Sequence, residues 1–220
     1  MTKKFLITRP KYDIATSYLY DFSEGITKLL RKTKDIHITS IELSDVNRKN
    51  FENALNKETP KLIFLNGHGD RNSVLGHQDA VILDKNNVKL AKDSITYALA
   101  CDSLEDLGKI AITEGAIAYI GYRAKFMIVR DPSRTSSPSK DKNALPFKKA
   151  CNSMINALVF GNTVEKSIEL TKKEYVHSIK SYGTSKDDPY GDVPLIRFAL
   201  AWDLEFLDFE GNPNASFWTQ

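Results

Sequence analysis

Five short apolar runs, separated for the most part by stretches of helical periodicity, constrain this chain more than any other feature. "FLI" (5–7) predicts a strand. It is followed by Ile14, Tyr18, Phe22, Ile26 and Leu29, spaced three and four apart as on one helix face. "IHITSIEL" (36–43) is rich in β-branched residues and predicts a second strand. Residues 47–57 predict a second helix, with Phe51 and Leu55 four apart and Pro60 as its stop. "KLIFL" (61–65) is continuous where a half-buried strand would alternate, the pattern of a parallel strand covered on both faces. "ITYALA" (95–100), a helical "LEDLGKIAITE" (104–114) and "AIAYIGY" (116–122) complete the series. The order β-α-β-α-β…β-α-β predicts a three-layer α/β domain, a mostly parallel sheet with helices on both faces.

The rest of the chain departs from that rhythm. Residues 67–94 lack an amphipathic helix; "AVIL" and "VKL" flanking "DKNN" (84–87) predict a small hairpin at the sheet's carboxyl edge. "RDPSRTSSPSKDKN" (130–143) is polar, with two prolines and four serines, and predicts an exposed flexible loop. "PFKKACNSMINALVF" (146–160) predicts a helix ended by Gly161. A second helix is capped by Asn162 or Thr163 and closed by Gly183, with Val164, Ile168, Tyr175 and Ile179 on one face. "SKDDPYGD" (185–192) is a loop, and "LIRFALAWDLEFLDF" (195–209) is expected to be a long or broken final strand.

Composition narrows the function classes. A chain of 220 residues with 41% apolar and 27% charged side chains suits a single packed domain over residues 1–220. The net charge of +3 is small and its basic residues are scattered, so no nucleic-acid partner is expected. The N-terminal residues lack the apolar stretch of a secretory leader, and no run reaches membrane-spanning length; a cytoplasmic protein with reduced thiols is expected. Two cysteines, Cys101 and Cys151, are too few for a disulfide framework. No Cys/His spacing suggests a metal, and no glycine-rich loop or fingerprint suggests a nucleotide, so no cofactor is expected.

Two strand ends carry the chemistry. "KLIFL" runs into "NGHGD" (66–70), and "ITYALA" runs into "CDS" (101–103). Parallel neighbours end on one edge about 4.8 Å apart, the edge where open α/β sheets bind ligands. If the two strands are adjacent, His68 and Cys101 meet as general base and nucleophile. Gly67 and Gly69 leave the imidazole uncrowded and permit positive φ, and the amides of Gly69 and Cys101 form a candidate oxyanion pair. Ser103 is expected to cap the following helix, whose dipole favours a thiolate; Asp102, Glu105 and Asp106 oppose it, leaving His68 as the expected activator. A buried strand-end cysteine is ordinarily a small hydrophobe, and a histidine between glycines ordinarily a turn residue, so the reading rests on the pair. Cys151, His37, His77, His177, Trp202 and Trp218 are set aside as packing or surface residues.

In order, "KLIFLNGHGD" and "ITYALACDSLEDLGKIAITEGAIAYIGY" resemble the caspase-like (clan CD) cysteine peptidases, nearest the bacterial CHAT and gingipain-like branches. The resemblance covers about residues 60–122, and "FALAWDLEFLDFEGNP" resembles the last strand of gingipain-like domains. It implies a caspase-like fold and a cysteine endopeptidase: His68 as proton shuttle, Cys101 as nucleophile, Gly69 in the oxyanion hole. A polypeptide substrate and an activating protein or ligand would be its partners. It also suggests a carboxylate for a basic residue before the cut, for which Asp70 and Asp102 are candidates, and self-processing in the 130–143 loop at Arg130, Arg134 or Lys140. "DSLED" after Cys101 departs from the caspase turn, so caspase-like aspartate preference does not follow. A silent caspase-fold binding module, or another thiol-dependent α/β hydrolase or acyltransferase, are the alternatives.

Overall fold

The computed structural model describes residues 2–182 and 191–219; the expected Gly183 stop and most of the 185–192 loop lie outside them. The chain runs β1 (Lys3–Arg9), α1 (Ile14–Leu30), β2 (Ile36–Glu42), α2 (Arg48–Glu58) and β3 (Leu62–Asn66). Three short strands follow, β4 (Gly69–Asp70), β5 (Ser73–Leu75) and β6 (Val81–Asp84), then β7 (Ile95–Leu99), α3 (Lys109–Thr113) and β8 (Ala118–Tyr122). The last third is α4 (Leu145–Val159), α5 (Val164–Ser181), α6 (Val193–Phe206) and β9 (Leu207–Gly211).

The main sheet has the order β2-β1-β3-β7-β8-β9, with every neighbouring pair parallel except β8 and β9. Each residue of β3, β7 and β8 is buried, which is why those runs are apolar without alternation. Alternate side chains feed two cores. Phe5, Ile7, Phe64 and Tyr97 pack with α1, α4, α5 and α6; Leu6, Ile63, Leu65 and Ala98 pack with α2, α3 and the small sheet β4-β5-β6. This is the three-layer α/β arrangement with a mostly parallel sheet. The chain builds outward from β1 in both directions, with β2 on one side and β3 on the other, so the loops leaving β1 and β3 part at their carboxyl ends. Such a switch point opens a crevice.

Three elements differ from expectation. Residues 193–206 form a helix, not a strand: Pro194 starts it, and Ile196, Ala199, Leu200 and Asp203 recur on its buried face at helical spacing. Only Leu207–Gly211 joins the sheet. The hairpin at 84–87 is absent; Val88–Ala91 is a short 3-10 turn, and the antiparallel pairs are β4 with β5 and β5 with β6. The helix after Cys101 opens as a π-type turn, Leu104–Gly108, before α3.

The 130–143 segment is exposed over most of its length and holds two 3-10 turns, Pro132–Arg134 and Pro138–Lys140. Its neck is tied by the buried carboxylate of Asp141, which accepts from Tyr18 Oη at 2.6 Å and from the Asp131 and Asn143 amides at 2.9 Å each.

Candidate active site

Strand register brings the two loops together. Asn66 of β3 pairs with Leu99 of β7, so His68 and Cys101 each stand two positions past the same rung of adjacent parallel strands. The backbones touch: a Cβ on Gly69 would lie 2.9 Å from Ala100 Cβ and 2.9 Å from Cys101 O. A Cβ on Gly67 would lie 2.2 Å from Leu75 O. Space, more than freedom of φ, is what both glycines supply. The left-handed residue of the site is Asp102, at φ +53°. Leu75 N donates to His68 O at 2.9 Å, which makes Gly69 and Val74 a non-hydrogen-bonded pair and leaves the Gly69 N–H outside the hairpin ladder.

His68 has a partner that the sequence did not announce. Its Nε2 lies 2.7 Å from Asp13 Oδ2, across the crevice between the loops of β3 and β1. Asp13 is the N-cap of α1; its other oxygen accepts from Thr16 N and Thr16 Oγ1 at 2.7 Å each, while Thr16 Oγ1 accepts from Asp13 N. Burial works to raise the Asp13 carboxyl, but the Thr16 bonds and His68 outweigh it and hold the group below the usual aspartate range. A carboxylate at Nε2 keeps a proton there and leaves Nδ1 as the acceptor. The Tyr12 ring stands edge-on to His68, with centroids 6.1 Å apart, and is tied down by donation from Tyr12 Oη to Asp79 Oδ1 at 2.5 Å. His77 lies on the same ring, at 5.3 Å.

Cys101 is partly exposed. Burial pushes its thiol up, the charges of Asp102 and Asp203 add to this, and a hydrogen bond from the Phe126 amide and the charge of Lys125 work against it. The expected Ser103 cap does not form: its side chain caps nothing, and its Oγ is buried with no hydrogen-bond partner among the described residues. Asp106 and Glu105, expected to oppose the thiolate, are engaged elsewhere. They turn to Arg71 at the tip of the β4-β5 hairpin, at 2.8 and 3.8 Å. The carboxyl that joins Asp102 in opposing the thiolate is Asp203 of α6, buried within a run read as a strand.

The other candidates are spread out. Asp70 is exposed and spends its carboxylate on the hairpin turn, accepting from Asn72 N at 2.7 Å and Ser73 Oγ at 3.0 Å. Asp102 is half-buried beside the sulfur-bearing residue. Arg130 is exposed over the Tyr18 ring, with its guanidinium carbon 5.8 Å from the centroid. Arg134 and Lys140 are exposed and line a cavity of about 560 Å³ within the 130–143 segment.

A solved structure shares this architecture. Over 97% of this chain and 47% of the other, the fold superimposes on the crystal structure of the Arg-specific cysteine proteinase gingipain R, with a TM-score of 0.59 and 14% sequence identity. The fold is caspase-like. The chain thus spans about half the length of the proteinase it resembles. No family model matches the sequence, and no curated protein matches it. At this identity the likeness to the caspase-like fold concerns architecture; the site rests on the residues themselves. Among the described residues, no group of three or more His, Cys, Asp or Glu is placed to hold a metal ion, and no helix is long and apolar enough to cross a membrane.

Proposed function

We propose that this chain is a cysteine peptidase that cleaves polypeptides through Cys101, with His68 as proton shuttle and Asp13 as its orienting carboxylate. The observation that carries the reading is the 2.7 Å bond from His68 to Asp13, made by an imidazole at the same rung as a partly exposed cysteine. The gingipain-like branch is the finer placement we favour; the structural likeness lends the CHAT branch no support.

In this mechanism His68 Nδ1 takes the thiol proton as the sulfur attacks the scissile carbonyl carbon. The carbonyl π pair moves onto oxygen, where the Gly69 amide, and with it the Cys101 amide, donate. Collapse expels the amine, which takes the proton from His68, and leaves a thioester. Water then attacks, deprotonated by the same nitrogen, and the thiol is restored. Asp13 keeps the ring aimed and stabilises the imidazolium between the two proton transfers.

A basic residue before the cut fits a site with Asp102 beside the sulfur; Asp70 is less suited because the hairpin turn uses its carboxylate. Self-processing would fall at Arg130, Arg134 or Lys140, all exposed, and an activating protein or ligand would act on the resting thiol. Labelling with acyloxymethyl ketones bearing different P1 groups, followed by a positional-scanning peptide library, tests the reading. Cys101-dependent labelling and cleavage are expected; cleavage only after acidic or small residues would end the basic-site assignment. A single uncleaved mass for active protein, offset from that of Cys101→Ala only by the substituted side chain, would end the self-processing proposal. One observation favours a silent binding module: burial raises the thiol, and the imidazole's hydrogen bond goes to Asp13, not to the sulfur. Absence of labelling under every condition would decide for that alternative.

A further inference from the structure

The segment leaving β8 is irregular and lies against the Cys101 loop. Asp102 N donates to Ala124 O at 3.2 Å, and the Phe126 backbone bears on the Cys101 thiol in the direction that favours the thiolate. Two consecutive residues of α6 hold this segment in place. Trp202 Nε1 donates to Lys125 O at 2.9 Å, and Asp203 Oδ1 accepts from Met127 N at 2.9 Å. Asp203 is 0% exposed, and its second carboxyl oxygen is buried with no hydrogen-bond partner among the described residues. A carboxyl group in that position is costly to ionise. Replacing it by an apolar side chain would remove that cost, so its presence calls for a role.

We infer that Asp203 positions Cys101 from the helix side, through the 124–127 segment that its carboxyl group anchors, and governs the sulfur's charge by the charge it holds or lacks. The inference rests on reading Cys101 as the nucleophile. The anchored segment holds the Phe126 backbone where it favours the thiolate. The carboxyl group has the opposite influence once ionised, because two negative charges share a poorly solvated region. The groups that face it are Cys101, Cys151, Tyr122 and Tyr175, with Lys125 and Asp102 acting on the same sulfur. Among these only Lys125 carries a positive charge, so thiol and carboxyl compete to ionise first. Burial pushes Asp203 well up, against the Met127 bond, so the ionisations of carboxyl and thiol bear on each other. An ionised Asp203 therefore opposes the thiolate until something relieves the competition: a cation arriving beside Asp203, or a shift of α6 that takes the carboxyl away.

The test is the pH dependence of Cys101 alkylation by iodoacetamide, followed by peptide mass mapping so that Cys151 is scored separately. Wild type, Asp203→Asn and Asp203→Ala are compared in the full chain. Asparagine keeps an acceptor for Met127 N and carries no charge, so its profile is expected about one pH unit lower than wild type. Alanine loses the anchor as well, so its profile is expected above that of asparagine. Asp203→Asn is near-isosteric and decides alone if Asp203→Ala does not fold. Superimposable wild-type and Asp203→Asn profiles overturn the inference, even if the wild type hydrolyses peptides. A shifted profile in a chain that hydrolyses nothing would uphold the coupling and sink the peptidase proposal instead.

Discussion

The two halves of the candidate site are built on opposite plans. On the histidine side the groups that hold the imidazole directly are hydrogen-bonded, although Asn66 Oδ1 and His77 Nδ1 close by are buried without partners among the described residues. Asp13 divides its oxygens between the α1 cap and His68, Thr16 returns the cap, and Tyr12 is pinned by Asp79. On the cysteine side the groups are left wanting. Among the described residues, Ser103 Oγ and one oxygen of Asp203 are buried without partners, and Asp102 sits at φ +53°. The difference teaches that the imidazole's own partners are fixed by hydrogen bonds, while the sulfur's neighbours include a carboxyl and a hydroxyl that lack them. A satisfied network has little to gain by moving, whereas unsatisfied groups and a left-handed non-glycine residue store free energy that a rearrangement can recover.

The sharpest break in this comparison is at the reacting groups. Cys101→Ala is expected to abolish peptide hydrolysis and probe labelling with the thermal midpoint little changed, and His68→Ala to lower kcat/KM by roughly 10²–10⁴. Next comes Asp13, where cap and orienter separate. Asp13→Ser retains a capping oxygen, so stability is expected within about 0.5 kcal/mol of wild type, while kcat/KM falls on the order of 10²-fold or more. Equal losses of activity and stability in that variant would show that Asp13 is a cap and nothing else.

Gly69→Ala should strain the contact between the halves: its Cβ would sit 2.9 Å from Cys101 O, and a loss of about 1–3 kcal/mol in chemical denaturation is expected together with lost activity. Asp102→Gly should act in the other direction, stabilising by about 1 kcal/mol through relief of the left-handed backbone and moving thiol alkylation to lower pH by removing a charge. A neutral or destabilising result there would mean that the cysteine loop stores no strain.

The smallest effect is pH-linked. The Asp13 carboxyl is held below its unfolded value, so it adds stability above the usual aspartate range and loses it as pH falls through the depressed folded value. With a side chain 39% exposed, the contribution is screened to less than about 1 kcal/mol. Urea denaturation of wild type and Asp13→Asn across the acidic range should show a gap that closes at the lowest pH; a gap that widens there would contradict the assignment.

Legibility in the sequence followed burial. β3 and β7 were readable because strands covered on both faces must be apolar throughout, and "NGHG" and "ALAC" follow directly from them. "LIRFALAWDLEFLDF" was misread because an apolar run is compatible with a strand or a buried helix, and the 3.6-residue recurrence of Ile196, Ala199, Leu200 and Asp203 is weak among so many apolar neighbours. Asp203 was hidden by that misreading. Asp13 was missed for a different reason. Asp before an apolar helical run with Thr three positions later signals a cap, and nothing local reveals that the remaining oxygen will meet an imidazole 55 positions away.

From sequence alone came the layered α/β plan and the placement of His68 and Cys101 at strand ends, because those depend on which residues water excludes, a property each segment carries with it. Tertiary structure alone decided who stands beside them: Asp13 at the imidazole, Asp203 and the 124–127 segment at the sulfur. Hydrogen bonds between distant segments act over about 3 Å. No pattern along the chain encodes them until strand register has brought their partners within that reach.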